Sequence, residues 1–227
     1  GFFYLGWGYN TYVLYGDDII PEKCVFVSNH ISSCDHGVFL NIASKFGFNG
    51  NISFMVKGEL SKVPFFSNVL ESYDSIYVRN GKEKDIENIH YMGRKLSDKP
   101  VHTIVIFPEG TYISNSEWCK KVKDKNRKLF QDNKKEEFTN VLFPRATGLI
   151  TLIDGLNGNQ GREKVVYDFT LCTKGGLINH SFFNRSKRHT IHVLVKRRVF
   201  KEIDQDILLD WWQEKEEQVE YFNKNGE

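Results

Sequence analysis

The stretch "VSNHISSCDHGVFL", residues 27–40, joins the end of an apolar run to the start of a helical pattern. Cys24–Val27 has the length and composition of a buried strand, and Val38, Phe39 and Ile42 recur at the spacing of one helix face. Polar residues therefore fill the exit of a strand and the first turn of the next helix. In sheets of alternating strands and helices, this is the edge at which ligand sites gather.

Two residues of this stretch, His30 and Asp35, form a candidate base and its orienting acid. On one continuous helix they would point about 140° apart, because each residue turns the helix by about 100°. If His30 lies in the loop and Asp35 in the first helical turn, the carboxylate can hold one imidazole nitrogen and leave the other free to accept a proton. The nearby serines lack a GxSxG elbow, so the hydroxyl that such a base activates would belong to a substrate.

Two other interpretations of the stretch remain open. The donors His30, Cys34, Asp35 and His36 suggest a metal site, although their spacing is not that of zinc sites. A polar helix start without any chemistry is the second. The four cysteines of the chain are scattered without a CxxC pair, which favours a reducing compartment over a disulfide framework or a zinc knuckle.

The rest of the chain alternates strand-like and helix-like segments. We predict strands at Cys24–Val27, Ser75–Val78, Thr103–Phe107 and Val141–Phe143, and half-exposed strands at Val165–Cys172 and Thr190–Val199. Helical faces follow Asp35 and are formed by Ile86, Ile89, Gly93 and Leu96, and by Ile207, Leu208, Trp211, Trp212, Val219 and Phe222. This alternation in 227 residues predicts an α/β fold, a single domain with a mixed, largely parallel central sheet flanked by helices.

The ends and charges of the chain divide it further. Residues 1–22 begin with seven aromatic residues in sixteen, which predicts a membrane-proximal N-terminal segment ahead of a main domain at 23–227. Eight basic residues between Lys120 and Lys135 predict a surface insertion at about 114–138. No apolar run reaches the roughly 18–20 residues that span a bilayer. Because the sequence does not begin with Met, we expect it to be a piece of a longer protein.

Three more predicted strand exits carry polar residues. They are Arg79 in "DSIYVRNGKEKD" (residues 74–85), Glu109-Gly110-Thr111 in "TIVIFPEGT" (103–111) and Pro144-Arg145 in "VLFPRATG" (141–148). A planar guanidinium group suits a phosphate, and a glycine turn permits close backbone approach to an anion. Each block alone is a weak signal, whereas four in this order point to one site.

An Asn-His-x4-Asp block, an Arg-bearing block, a Phe-Pro-Glu-Gly-Thr block and a Pro-centred block, in this order, resemble those of the glycerolipid acyltransferases. The third and fourth blocks and the closing "WWQEKEEQVEYF" are most similar to the lysocardiolipin and 1-acylglycerol-3-phosphate acyltransferase branch. The resemblance implies a glycerol-3-phosphate acyltransferase-like fold over 23–227. It also implies transfer of a fatty acyl chain from acyl-CoA to a free hydroxyl of a lysophospholipid of the lysophosphatidic acid, lysocardiolipin or lysophosphatidylinositol type.

The same resemblance assigns roles to the residues of the four blocks. It makes His30 the general base and Asp35 its orienting partner. The residues that bind the acceptor or shape the acyl site are Arg79, Glu109, Gly110, Thr111, Pro144 and Arg145. The loop between base and acid departs from the family, since Ser32, Ser33 and Cys34 stand where many relatives carry an arginine or another bulky polar residue.

The resemblance also implies the partners. We expect acyl-CoA as a co-substrate with no bound cofactor and no metal, a lysophospholipid acceptor, a membrane surface, and no nucleic acid. The location implied is the endoplasmic reticulum membrane, with the site facing the cytosol. A non-catalytic lipid-binding or scaffolding protein on the same fold is the alternative, and a hydrolase that uses the same histidine on water is a second.

Overall fold

The computed structural model describes residues 3–7, 10–33, 35–48, 50–63, 66–79, 83–112, 118–157, 163–173 and 190–226. The strands within these ranges are β1 Phe3–Trp7, β2 Asn10–Gly16, β3 Lys23–Ser28, β4 Ile52–Lys57, β5 Ile76–Val78, β6 His102–Ile106, β7 Lys164–Thr173 and β8 Thr190–Phe200. The helices are α1 Asp35–Lys45, α2 Phe66–Ser72, α3 Glu83–Ser97, α4 Trp118–Asp132, α5 Ala146–Asn157 and α6 Gln205–Asn225, with a 3₁₀ turn at Gly58–Lys62.

Across the described ranges, the eight strands form one sheet in the order β1-β2-β8-β7-β3-β6-β4-β5. The five strands from β7 to β5 are mutually parallel, β8 is antiparallel to β7 and parallel to β2, and β1 is antiparallel to β2. The predicted α/β domain with a mixed, largely parallel sheet is therefore confirmed. Because β3, β6, β4 and β5 run in the same direction, their carboxyl ends meet at one edge of the sheet.

Both faces of the sheet centre are covered. Phe26 of β3 packs in a cluster with α1 on one face, and its neighbours Val25 and Val27 pack with α3, α5 and α6 on the other. A strand that is buried on both faces reads as a continuous apolar run, and this is why β3 was recognisable in the sequence. Ile89 and Leu96 of the predicted α3 face and Trp212 of the α6 face are buried in the second cluster, whereas Ile86, also predicted on the α3 face, is exposed.

Most of the predicted strands are confirmed, but β4 and β7 differ from the prediction. The structure contains β4, which was not predicted because a short apolar run fits a strand or a buried helix equally well. The segment Val165–Cys172 was predicted to be half-exposed, but β7 is buried from Val166 to Cys172. It lies between β3 and β8 in the middle of the sheet, so both of its faces are covered. β8 does alternate as predicted.

The predicted strand at Val141–Phe143 is wrong. Val141 lies in a bend, and side chains of two helices accept the backbone N–H groups in and just before the segment. Glu216 of α6 accepts the N–H groups of Thr139, Asn140 and Val141 at 2.8–3.1 Å. Asn126 of α4 accepts that of Phe143 at 2.7 Å. Backbone groups satisfied in this way have no need of a strand partner, and the unpredicted helix α5 begins directly after the segment.

Two predicted peripheral segments are partly built into the fold. Strand β2 of the segment 1–22 pairs with β8, and its Tyr12 and Leu14 side chains are buried in the core. The basic stretch at 114–138 contains α4, whose Val122 and Phe130 are buried while its lysines face outward; residues 114–117 lie outside the described ranges. The membrane contact predicted for 1–22 stays a prediction. None of the described helices is long and apolar enough to cross a bilayer.

Candidate active site

The loop between β3 and α1 is fixed to the neighbouring strand just before His30. The buried Asn29 side chain donates from Nδ2 to the Leu171 carbonyl of β7 at 3.0 Å and accepts the Leu171 N–H at Oδ1, at 2.7 Å. Asp35 begins α1, so the histidine lies in the loop and the aspartate in the first helical turn. This is the geometry that the spacing of the two residues requires if they are to meet.

The imidazole of His30 and the carboxylate of Asp35 are in direct contact. Nδ1 of His30 lies 2.8 Å from Oδ2 of Asp35, and the same oxygen accepts the backbone N–H groups of Ile31 and Ser32 at 2.8 and 3.1 Å. The acid is 1% exposed and the histidine side chain 12%. A neutral ring that donates from Nδ1 carries its basic lone pair on Nε2. Nε2 makes no hydrogen bond within the described part of the chain.

Aromatic rings surround this pair. The His30 ring stacks on Phe107 at 4.3 Å between centroids, and Tyr112 meets it edge-on at 5.1 Å. The buried ring of His36 packs edge-on against Phe54 and Phe107 at 5.1 and 5.5 Å. Burial lowers the pKa of His36 to about 4, and the charge of His30 contributes in the same direction. His36 therefore remains neutral over the physiological range.

The metal alternative involved His30, Cys34, Asp35 and His36. Cys34 lies outside the described residues. Within the described residues, no three side chains of His, Cys, Asp or Glu are grouped so that they could hold a metal ion. The Asp35 oxygen nearest to His30 is already engaged by Ile31 and Ser32.

Glu109, which follows β6, is buried behind the loop. Its Oε2 accepts the backbone N–H of His30 at 3.3 Å, and its Oε1 accepts the indole N–H of Trp212 at 3.0 Å. Burial raises the pKa of Glu109 to about 8, opposed by these two donors and by the charge of Lys215. Both oxygens are thus occupied by the protein, and the contact of Glu109 with an acceptor stays a prediction.

The third and fourth sequence blocks form one structural unit. Gly110 has φ of +66°, and a Cβ built there would lie 1.9 Å from Nη2 of Arg145. That nitrogen donates to the Glu109 carbonyl at 3.3 Å, and the Arg145 amide donates to the Pro108 carbonyl at 3.1 Å. The hydroxyl of Thr111 is buried without a hydrogen-bond partner among the described residues. Any other residue at position 110 would therefore strain the backbone at this positive φ and displace the end of the Arg145 side chain.

The second sequence block reaches the same edge of the sheet. Arg79 directly follows β5, and its amide donates to Asp85 of α3 at 2.7 Å. Its exposed guanidinium group makes no hydrogen bond or ion pair within the described residues. The aliphatic part of the Arg79 side chain packs so closely on Gly58 that a Cβ built on Gly58 would lie 2.8 Å from Arg79 Cγ. Arg79 is thus placed beside the end of β4.

Lys57, the last residue of β4, is a candidate that the sequence analysis did not identify. Burial lowers its pKa; Glu59 opposes the shift, and the charges of Arg145 and Lys125 add to it. Lys57 is therefore within electrostatic range of both. The sequence signal was the run Ile52–Val56 followed by Lys-Gly, which is the mark of a further strand exit. We call Lys57, Arg79 and Arg145 the basic edge.

The last predicted site residue lies behind this edge. Pro144 is buried, and its carbonyl accepts the side-chain N–H of Gln205 at 2.8 Å. Its contact with a substrate stays a prediction. Gln205 also accepts the N–H of Ala146, the first residue of α5, at 3.0 Å. Helix α6 thus supports the segment that carries Arg145.

The chain is similar to known acyltransferases. A family model described as Acyltransferase matches residues 12–150. The chain is 26% identical over 167 residues to a probable 1-acyl-sn-glycerol-3-phosphate acyltransferase 5 of Arabidopsis thaliana, covering 72% of this chain and 42% of that protein. It is 24% identical over 163 residues to lysocardiolipin acyltransferase 1 of Danio rerio, covering 70% and 40%. The chain therefore spans about two fifths of the length of these relatives.

A solved structure shares the fold. The crystal structure of the 1-acyl-sn-glycerophosphate (LPA) acyltransferase PlsC from Thermotoga maritima superposes with a TM-score of 0.56 at 16% sequence identity, covering 93% of this chain and 71% of that one. At this identity the match supports the architecture. Trp212 lies outside the segment that the family model matches.

Proposed function

This chain belongs to the acyltransferase family, and from that premise we propose that it transfers a fatty acyl chain from acyl-CoA to a free hydroxyl of a lysophospholipid. The observation that carries the proposal is the contact of His30 Nδ1 with Asp35 Oδ2 at 2.8 Å, with Nε2 left for a substrate. The acid fixes the tautomer and the direction of the ring, so that the other nitrogen is free to accept a proton.

The proposed reaction is a direct transfer. As the acceptor hydroxyl attacks the thioester carbonyl, Nε2 of His30 takes its proton and a new C–O bond forms. The tetrahedral intermediate collapses with cleavage of the C–S bond. The proton then passes from the imidazolium to the departing CoA thiolate, so the ring returns to its neutral form. Asp35 stabilises the imidazolium without itself becoming protonated. The products are the acceptor lipid with one more acyl chain and free CoA.

The basic edge supplies a site for the phosphate of the acceptor. Lys57, Arg79 and Arg145 lie at the carboxyl-terminal side of the parallel strands or beside the turn after β6. A guanidinium group binds phosphate through paired N–H donors, and an ammonium group does so as a point charge. An acceptor held by its phosphate would present the adjacent glycerol hydroxyl to His30.

The nature of the substrates suggests the setting. In this proposal, acyl-CoA enters as a co-substrate and leaves as CoA, and no resident cofactor takes part. Two relatives bear the names of a 1-acyl-sn-glycerol-3-phosphate acyltransferase and a lysocardiolipin acyltransferase, which motivates lysophosphatidic acid and lysocardiolipin as first acceptors. Because both acceptors and products are membrane lipids, we propose that the protein acts at a membrane surface. The proposed compartment is the endoplasmic reticulum, with the active site facing the cytosol.

A panel of acceptors tests the function. Purified protein is incubated with radiolabelled acyl-CoA and lysophosphatidic acid, lysocardiolipin, lysophosphatidylinositol or a monoacylglycerol without phosphate. We expect labelled acylated lipid from at least one phosphate-bearing acceptor and none from the monoacylglycerol. Release of free fatty acid alone would indicate a hydrolase, and binding without either product would indicate a lipid-binding protein.

A conservative variant tests the basic edge. Arg79→Lys keeps the charge but loses the paired donors, so we expect the KM for the acceptor to rise about tenfold with kcat little changed. The matched control is Arg94→Lys, near the end of α3, which leads back to the opposite edge of the sheet. An unchanged acceptor KM in the Arg79 variant would remove this arginine from the phosphate site.

A further inference from the structure

Glu109 connects two parts of the molecule that are far apart in sequence. One carboxyl oxygen accepts the His30 N–H, 79 residues away, and the other accepts the Trp212 indole N–H, 103 residues away. Glu109 is 5% exposed, so both of these hydrogen bonds are shielded from solvent. Glu109 is thus the contact through which helix α6 reaches the loop that carries the base.

The amides of the loop show what this contact does. Three successive backbone N–H groups point to carboxyl oxygens, His30 to Glu109 and Ile31 and Ser32 to Asp35. Asp35 holds the imidazole and the amides of Ile31 and Ser32, while Glu109 holds the backbone amide of His30, from which the imidazole extends. If Glu109 moved, the His30 backbone would lose its own partner and the ring could pivot about Asp35. A displacement of about 1 Å at a reacting group costs about 100-fold in rate.

Trp212 is itself held firmly. Its side chain is fully buried, and the Nζ of Lys215, one turn further along α6, lies 5.1 Å from its ring centroid. Lys215 is also buried and donates to the Asp168 carboxylate and, at 2.7 Å, to the Phe169 carbonyl of β7. The indole N–H therefore comes from a helix that is fixed to the sheet at the neighbouring turn.

We propose that Trp212 is a positioning residue for the base: its indole N–H orients the Glu109 carboxyl, which in turn holds the backbone amide of His30. Helix α6 is then a working part of the active site, although it lies outside the segment matched by the acyltransferase family model. The proposal deepens the proposed function, since it rests on His30 as the base of the transfer.

The test compares two neighbouring tryptophans. Trp212→Phe removes the N–H but retains an aromatic ring. Trp211→Phe is the matched control, because Trp211 is also buried on α6 but packs against Arg198 and Phe200. For Trp212→Phe we expect kcat to fall about 10- to 100-fold, with both KM values within about twofold of wild type. For Trp211→Phe we expect kcat within about twofold of wild type, at a comparable loss of thermal stability.

A double variant shows whether Trp212 acts through Glu109. In Glu109→Gln the amide offers only one acceptor oxygen to the two N–H donors, so one hydrogen bond is lost. We expect Glu109→Gln/Trp212→Phe to lose no more activity than Glu109→Gln alone, because the two residues act in series. Losses that multiply, or wild-type kcat in folded Trp212→Phe, would overturn the proposal.

A measurement without turnover separates this proposal from the proposed function. Amide hydrogen exchange of the peptide that covers residues 28–33 includes the His30 N–H, which donates to Glu109, and the N–H groups of Ile31 and Ser32, which donate to Asp35. We expect faster exchange in Trp212→Phe and wild-type exchange in Trp211→Phe. If the wild-type protein transferred no acyl group, the proposed function would fail while this comparison still decided the structural link. Unchanged exchange in Trp212→Phe would overturn the link whatever the activity.

Discussion

The two sides of the His30 loop are held by carboxyl groups that differ in their distance along the chain. Asp35 is five residues away and meets the imidazole, whereas Glu109 is 79 residues away and meets the backbone. Glu109 in turn depends on Trp212, a further 103 residues on. The Asp35 side, which we call the near side, sets the chemistry of the ring and can be predicted from the spacing of His30 and Asp35. The side of Glu109 and Trp212, which we call the far side, sets where the ring lies in the fold. It depends on how β6 and α6 pack.

The largest effect is expected on the near side. His30→Ala should lower kcat by about 10²- to 10⁴-fold because the general base is lost. Asp35→Asn should lower kcat by about 100-fold or more, since an amide can stabilise the wrong tautomer of the ring. Steady-state kinetics on folded protein measure both, with His90→Gln on α3 as the control histidine. Activity close to wild type in either variant would refute the near side as the catalytic one.

The far side should respond first in stability. Lys215→Met removes a buried cation from Asp168 and should reduce the free energy of unfolding by about 3 kcal/mol. We expect a smaller loss of kcat than for His30→Ala, since the base itself remains. Urea unfolding at pH 7 provides the measurement. Lys224→Met, in an exposed pair with Glu220 on the same helix, is the control and should change stability by less than about 1 kcal/mol. Equal losses in the two variants would contradict the importance of the buried network.

The turn at Gly110 provides a test with an expected effect of intermediate size. Gly110→Ala places a methyl group against Arg145 at positive φ, which should cost about 1–3 kcal/mol of stability and raise the KM for a phosphate-bearing acceptor. Gly148→Ala in α5 is the matched control, because its Cβ would meet only ordinary contacts at 3.6 Å or more. There alanine should stabilise the helix by about 0.5–1 kcal/mol. Destabilisation of similar size in both variants would count against the fit between Gly110 and Arg145.

The smallest effect concerns pH. Burial lowers the pKa values of His36, beside the near side, and of His102 in β6 to about 4. Each unfolded histidine takes up a proton near pH 6.5 while the folded one does not, so stability should fall as the pH drops from about 6.5 toward about 4. The loss should be about 1–2 kcal/mol per histidine by pH 5.

His36→Phe fits the aromatic surroundings and removes one of these two titrations. Urea unfolding at pH 7 and pH 5 should therefore show a smaller difference for this variant than for wild type. An identical pH dependence would mean that the His36 ring is protonated as readily in the folded protein as in the unfolded one.

The sequence predicted the parts of the molecule that depend on local spacing. The strand exit with His30, the helix start at Asp35 and the mixed parallel sheet follow from apolar runs and their periodicity, and the structure agrees. Lys57 was missed because β4 was missed, and a short apolar run has no period of its own. Periodicity placed Trp212 in the core, which is correct, but it carries no information about the hydrogen bond of its indole nitrogen.

The incorrect strand at Val141–Phe143 illustrates the same limit. The run is apolar, yet Glu216 and Asn126 accept its backbone N–H groups in place of a partner strand. Both side chains come from helices whose positions are set by the whole fold. Tertiary packing decides which polar group accepts a given backbone N–H. It therefore also decides whether an apolar run joins a sheet.

The pairing of Asn29 with Leu171 has a mechanical consequence. The Asn29 side-chain amide bonds to Leu171 as a backbone peptide group would. It thereby adds one pair of hydrogen bonds between the end of β3 and β7. The residue that follows is His30, which therefore moves with the stiff centre of the sheet instead of with a surface loop. In the proposed reaction, the acceptor lipid would therefore move to a histidine that is held in place.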